Sequence, residues 1–388
     1  MGAKYKLTIH QSITELSPKE WNSLVTPETV PFLEWEWLSA LEESGSISPD
    51  TGWNPLHFCL WDKERLVAAA PLYLKTSNGG EYVYDYFWAD AAESLGKSWY
   101  PKMLGAPAAT PAEGYRFLFA PGTNAEELSA TLLYAAEKIC RSNNIPSLNL
   151  IWVDPLWAKI LPGMGYTSWD HLHYLWENEN FKDFDDYLAL FSKNQRKNIR
   201  KEYSRHFEQG ISIRVIDGEE AEDSLYQKMF ELFTITNDKF IPWDARWVNE
   251  DFFKRLGQTS RKSTAFVEAH RDSSGKTVAM AFLVRKGDRI WGRYWGAYEE
   301  IKDLHFAVCY YAPMEWCIKN GIRYFDPGAG SPHKIRRGFR VKQNRSWHKF
   351  FDPLLEQLFK QNIKAVNRHE AAHLEALNAE LPFKILDS

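Results

Sequence analysis

Hydrophobic and polar positions along the chain fall into two successions of the same order. In the first, Tyr5–Ile9 alternates as a strand, Ser17-Pro18 starts a helix through Trp21–Val25, and Phe32–Leu41 follows as a short aromatic helix. Leu56–Leu60 and Leu66–Leu74 then read as a hairpin around Asp62–Arg65, with an aromatic strand predicted over Tyr82–Trp88. In the second, Ser212–Ile216 is the strand, Glu219–Phe240 and Trp247–Leu256 are helices, Thr264–Ala269 and Thr277–Val284 form the hairpin, and Ile290–Tyr298 is the aromatic strand. An apolar helix and a strand ending in Asp-Pro close both. Tyr134-Ala135 leads to Cys140 and then Asp154-Pro155, and Tyr311-Ala312 leads by the same six-residue step to Cys317 and then to Asp326-Pro327. A duplicated unit follows from this agreement.

Length fits that reading, since 388 residues exceed what one hydrophobic core usually organises. Cys59, Cys140, Cys309 and Cys317 stand far apart, which gives neither a disulfide framework nor a zinc knuckle and suits a reducing compartment. The N-terminus lacks an apolar signal region and no apolar stretch could span a bilayer, so a cytoplasmic protein without a transmembrane anchor is expected. The net charge of −4 conceals an asymmetry: residues 1–180 hold 12 basic and 22 acidic side chains, residues 181–388 hold 35 and 29. The second half is thus the half that attracts anions.

The order strand, two helices, three antiparallel strands, helix, strand is that of the GNAT acyltransferase fold. Two such modules without a long linker resemble the FemABX class. Individual segments are similar to the FemAB-like family of predicted N-acyltransferases related to peptidoglycan biosynthesis. These are Val30–Leu33, Gly52-Trp53, Pro71–Lys75, Gly80–Val83 with Asp85, Tyr100–Lys102, Arg196–Arg200 with Glu202, Gly292–Gly296, Leu304–Phe306, Cys309–Tyr311, Gly328-Ala329, His333-Lys334 and Arg337–Phe339. The resemblance implies an α/β protein of two tandem GNAT modules, with mixed, mostly antiparallel sheets flanked by helices. The modules are expected at 1–180 and 181–388, the latter with a basic helix over 193–207 and a C-terminal helix over about 353–379. Two departures concern the substrate. Gly330-Ser331-Pro332 replaces the Gln-Gly-Glu run usual in the family, removing a carboxylate, and Ala108-Ala109 stands near a loop that usually contains Phe-Thr.

Joining an amine to an activated ester or thioester needs an uncharged amine, a donor for the developing oxyanion and a proton for the leaving group, with no covalent intermediate. The backbone of Tyr294, Trp295 and Gly296 on the central strand is expected to supply such donors at a bulge; the alternative is that glycines there only shape the strand. His333 follows a Gly-rich loop at a strand end and is the expected proton acceptor, with Lys334 and Arg337 as a cationic rim and Gly328 and Gly330 exposing backbone. His305 and Tyr310 are expected on the substrate, although His305 reads equally as a core histidine at a helix start. Asp85 and Tyr82 could bind an amine or brace a sheet.

Lys193, Arg196, Lys197, Arg200 and Lys201 recur at helical spacing and form a phosphate-binding face or a solvated one. His171 and His173 share a strand face, but no third ligand stands nearby, so no metal is expected. Neither module carries the Arg/Gln-x-x-Gly-x-Gly/Ala loop that cradles the coenzyme A pyrophosphate. Together with the resemblance this points to transfer of an aminoacyl group from the acceptor stem of aminoacyl-tRNA to an amine of a small molecule, peptide or peptidoglycan-like precursor, with no tightly bound cofactor. An acyl-CoA-dependent N-acetyltransferase and a non-catalytic recognition module are the alternatives; an exposed His333 beside a filled, narrow cleft would favour the latter.

Overall fold

The computed structural model describes residues 4–241, 245–330 and 332–384. The chain forms two compact units. One takes the chain up to His171 together with Gln343–Ala371; the other takes Leu172–Lys342 and the chain from Ala372 onward.

The first unit runs β1 (Lys6–His10), α1 (Pro18–Asn22), α2 (Trp35–Glu43), β2 (Trp53–Asp62), β3 (Arg65–Lys75), α3 (Tyr86–Ser94), β4 (Lys102–Gly105), β5 (Leu118–Phe119), α4 (Ala125–Ser142) and β6 (Ser147–Leu150). Its strands lie in the order β1-β2-β3-β4-β6. All neighbours are antiparallel except β4 and β6, which pair in parallel from Met103↔Leu148 to Gly105↔Leu150. β2 and β3 are almost continuously apolar because their central residues are covered on both faces. α4 places Leu128, Leu132, Leu133, Ala136 and Cys140 in the core at helical spacing, and Asn124 caps its first turn by accepting from the Glu126 and Glu127 N–H groups.

The second unit begins within β7 (Thr167–Glu177) and continues through α5 (Phe184–Leu188), α6 (Lys193–Glu208), β8 (Ile211–Asp217), α7 (Asp223–Asp238), α8 (Glu250–Thr259), β9 (Thr264–Arg271), β10 (Thr277–Lys286) and β11 (Arg289–Ala297). It then runs through α9 (Leu304–Phe306), a π-helical turn over Ala307–Tyr311, α10 (Ala312–Lys319) and β12 (Tyr324–Asp326). β13 (Arg340–Phe350) and α11 (Pro353–Ala379) each pass from one unit into the other. The order β8-β9-β10-β11-β12 repeats that of the first unit, again with only the last pair, β11 and β12, parallel. Each unit is therefore a GNAT module, strand for strand.

Two expectations change. Tyr82–Trp88 is no strand: the chain bends there and Tyr86–Ser94 forms α3, because Trp88 and Ala92, four apart, are the buried positions, and the third strand is Lys102–Gly105. The division at 180 also differs from the observed one, which falls after His171, with Gln343–Ala371 returning to the first unit. The return is driven by packing: Phe359 lies 4.8 Å from Trp88 and 5.0 Å from Phe350, and Trp347–Phe350 pair with Leu150–Ser147. Among the described residues no helix is long and apolar enough to cross a membrane.

Candidate functional site

In the second unit, β11 carries a bulge. Phe282 faces Tyr294 but Leu283 faces Gly292, so Arg293 is the extra residue. On β11, β12 pairs with Arg289–Trp291, before the bulge, and β12 ends at Asp326. Arg293 is buried there with Asp326 at 3.2 Å, and Asp326 also accepts from the Gly328 N–H at 2.7 Å. The bulge thus lies at Arg293 and not over Tyr294–Gly296. Tyr294 is packed among Phe233, Phe252, Phe253 and Phe282, and a Cβ on Gly296 would sit 2.0 Å from the Leu232 carbonyl, so Gly296 serves the close approach of α7. Trp295 leans edge-on to His305 at 5.0 Å.

The second unit also holds an open cleft of about 830 Å³. α6 gives one wall with Gln195, Asn198, Lys201, Glu202 and Arg205; Lys302, Asp303 and Phe306 give another; Pro332, His333, Ile335, Arg336 and Arg337 close it, with Glu380 at the rim. The spacing of the α6 residues is that of one helix face. Of the expected basic face, Lys201 alone lines the cleft: Arg200 pairs with Asp185 at 2.8 Å, and Lys193, Arg196 and Lys197 lie elsewhere on the helix. Arg205 lines it too, held by Asp303.

His333 is half-buried, with Nε2 3.0 Å from the Tyr310 hydroxyl. Burial, reinforced by Arg337 and Lys334, pulls its pKa down to about 4, and that of His305, 5.9 Å away ring to ring, to about 3. Both imidazoles are neutral near pH 7. The cations therefore do more than tune His333 toward neutrality; they leave it a hydrogen-bond acceptor that cannot strip a free ammonium. Arg337 stacks on Phe306 at 3.3 Å, donates to the His333 carbonyl at 2.8 Å and reaches Glu202 at 2.9 Å. Tyr311 donates to the same Glu202 oxygen at 2.5 Å. The π-helical turn lets successive tyrosines serve two partners, Tyr310 at His333 and Tyr311 at Glu202.

Lys334 is not on the rim. Its ammonium turns inward to the Gly328 carbonyl at 2.9 Å and to that of Ala329, and burial lowers its pKa to about 8. It staples the loop whose expected substrate-facing glycines have local duties: Gly328 takes φ +83°, and a Cβ on Gly330 would meet the Tyr174 ring at 2.5 Å. Of the Gly330-Ser331-Pro332 departure, Ser331 lies outside the described residues.

Asp85 belongs to the first unit and is fully engaged. Lys102 approaches it at 2.5 Å, Trp99 Nε1 at 2.6 Å and the Tyr100 hydroxyl at 2.7 Å. Burial raises its pKa, but Lys102 and these donors outweigh that and hold it low. It braces the module and has no oxygen left for a substrate amine; Tyr82 is half-buried at φ +57° on the same loop. His171 hydrogen-bonds Ser346 at 2.6 Å.

Two modules of this topology, the second holding a basic cleft, define a tandem protein of the GNAT acyltransferase fold. The chain belongs to the FemAB-like family, described as peptidoglycan biosynthesis/recognition, whose profile matches residues 12–385. Among solved structures it is similar to FemX, with 11% identity, TM-score 0.54, and 92% of this chain and 100% of that one covered. It is also similar to a conserved protein of unknown function from Bacteroides thetaiotaomicron, with 9% identity, TM-score 0.51, and 89% and 100% covered. No curated protein matches the chain.

Proposed function

We propose that the second unit transfers an acyl group, delivered as an aminoacyl-tRNA ester, to an amine of a small molecule or peptidoglycan-like precursor. The observation that carries this reading is the cleft in which Lys201, Arg205, Lys302, Arg336 and Arg337 surround a neutral His333. Cations at such a mouth suit a phosphate-rich donor. An uncharged imidazole suits a reaction in which the amine nitrogen attacks the ester carbonyl. The C–N bond forms and the ester C–O bond breaks. The nitrogen is most acidic after attack, when it carries positive charge, and His333 then accepts its proton; the leaving ribose oxygen takes one up. The cleft is open and wide, which removes the feature that would have favoured a purely recognising module.

The test is to incubate the protein separately with charged tRNA and with acyl-CoA mixtures in the presence of a peptidoglycan-precursor extract, and to follow donor loss by mass spectrometry. Consumption of charged tRNA, abolished in Lys201→Gln/Arg336→Gln, is the expected result. Consumption of acyl-CoA alone would replace the donor, and consumption of neither would overturn the reading.

A further inference from the structure

Glu202 is the acidic group of the cleft that the basic sequence pattern of α6 conceals. Its Oε2 takes both strong donors, Arg337 at 2.9 Å and Tyr311 at 2.5 Å, whereas Oε1 has no partner among the described residues. The side chain is half-buried and lines the cleft, so this oxygen is free to accept from a ligand there. Of the other acids lining the cleft, Asp303 is already held by Arg205 and Glu380 is solvent-exposed at the rim. Arg337 ties Glu202 to the peptide carbonyl of His333, so the carboxylate and the imidazole are fixed through one guanidinium.

We propose that Glu202 Oε1 seats the acceptor as a primary ammonium, making this residue the determinant of amine over hydroxyl acceptors. The proposal rests on the acyl-transfer reading for what happens next. An ammonium donates up to three hydrogen bonds where a hydroxyl donates one, and charge assistance roughly doubles the strength of each. The bound ammonium must release one proton to solvent before its nitrogen can attack, so Glu202 selects and positions while His333 accepts the later proton.

The probe is Nα-acetyl-lysine methylamide, compared by calorimetry with its isostere bearing a terminal hydroxyl, on the full-length protein without any acyl donor. The wild type is expected to bind the amine at least tenfold more tightly than the alcohol. Glu202→Gln keeps the shape and an acceptor oxygen but not the charge, and should erase that preference while leaving binding of inorganic pyrophosphate intact. Tyr311→Phe leaves the carboxylate in place and should retain the preference, which guards against a Glu202→Gln protein that folds poorly. Equal affinity of the wild type for amine and alcohol, or an unchanged preference in a folded Glu202→Gln protein, would overturn the proposal. Amine selectivity through Glu202 with no donor consumed would instead sink the acyl-transfer reading and leave the seat standing.

Discussion

The two modules share strand order and the parallel fourth pair, yet they differ in what surrounds that pair and in where their charges stand. In the first, pairing of β4 with β6 is extended by the Ile151 N–H to the Gly105 carbonyl at 2.9 Å, and Tyr115 bridges to Val153. The Tyr115 ring lies flush on Gly105, where a Cβ would meet its hydroxyl at 2.3 Å, and that hydroxyl donates to the Pro71 carbonyl at 2.8 Å. Tyr115 thus packs against the end of the first module's parallel pair, and the smaller cavity of that module, about 310 Å³, is lined by Glu113 and Val153. The charges follow the same division. Lys75, Glu81, Asp85 and Lys102 are buried in the first module, with Lys102 bridging both acids, whereas in the second Lys201, Glu202, Lys302 and Arg336 border open space. One topology therefore carries its charges buried in one module and bordering open space in the other.

The largest effect expected from disturbing this contrast is on the closed side. Lys102→Met leaves Glu81 and Asp85 buried without their shared cation, and removing one partner of a buried pair costs about 3–5 kcal/mol. Urea unfolding should report that loss while turnover per folded molecule stays unchanged. An unaffected unfolding midpoint would mean that the cluster does not hold the module together.

On the open side, His333→Gln should lower kcat on the order of 10²-fold, about 2.7 kcal/mol, with KM and Tm little changed. Because His333 is neutral well below pH 6, the deficit should be constant from pH 6 to 9. Rates of both proteins should rise over that range as the acceptor amine loses its proton. A fall in Tm matching the fall in rate would make His333 a packing residue.

Much of this was legible in the sequence, and the exceptions share a cause. The paired Tyr-Ala and Cys landmarks lie on α4 and around α10, with Cys140 and Cys317 both buried, because helical spacing is a local property that the chain displays directly. Tyr82–Trp88 misled because a run of aromatics fits both a strand and the start of a helix, and only the burial of Trp88 and Ala92 decides. At the site, position on the Gly-rich loop marked His333, but the direction of its neighbour Lys334 depends on carbonyls that exist only once the loop has folded back. Glu202 stood in view as part of a similar segment. Its role arises from Tyr311 and Arg337, 109 and 135 residues away, through a π-helical turn that no periodicity announces.

Acid should affect the two modules alike. Burial holds His171 at about 3 and His348 well below its ordinary value in the first, and His305 and His333 at about 3 and 4 in the second. An unfolded histidine protonates near 6.5, so between that value and the folded pKa the unfolded chain binds more protons. The stability these four contribute is complete above about pH 6.5 and is lost as pH falls toward 4. Glu81, raised by burial to about 7, opposes this over the upper part of the window, one group against four. Urea midpoints measured from pH 7.5 to 5 should therefore decline, with both modules losing structure over the same range. Loss of the second module alone would place the acid-sensitive groups around the cleft.

The smallest effect separates cations within the second module. Lys201 and Arg336 line the cleft, whereas Lys193 and Lys197 are exposed on the first turns of α6 and do not. If tRNA phosphates enter the cleft, each phosphate deprived of its cation reduces the dependence of log K on log salt by roughly 0.7–0.9. Lys201→Gln/Arg336→Gln should therefore flatten the slope by up to about 1.5 in titrations of uncharged tRNA between 50 and 300 mM salt. Lys193→Gln/Lys197→Gln removes the same formal charge from the same unit, so it matches the first pair in long-range attraction and differs only in where the charge stood. Its slope should stay within about half a unit of the wild type, since exposed side chains that do not line the cleft make no direct phosphate contact there and are screened by salt. Equal flattening by both pairs would spread phosphate binding over the whole helix, returning the basic run to the broad phosphate-binding face its spacing suggested. No flattening by either would leave the cleft without a polyanionic donor.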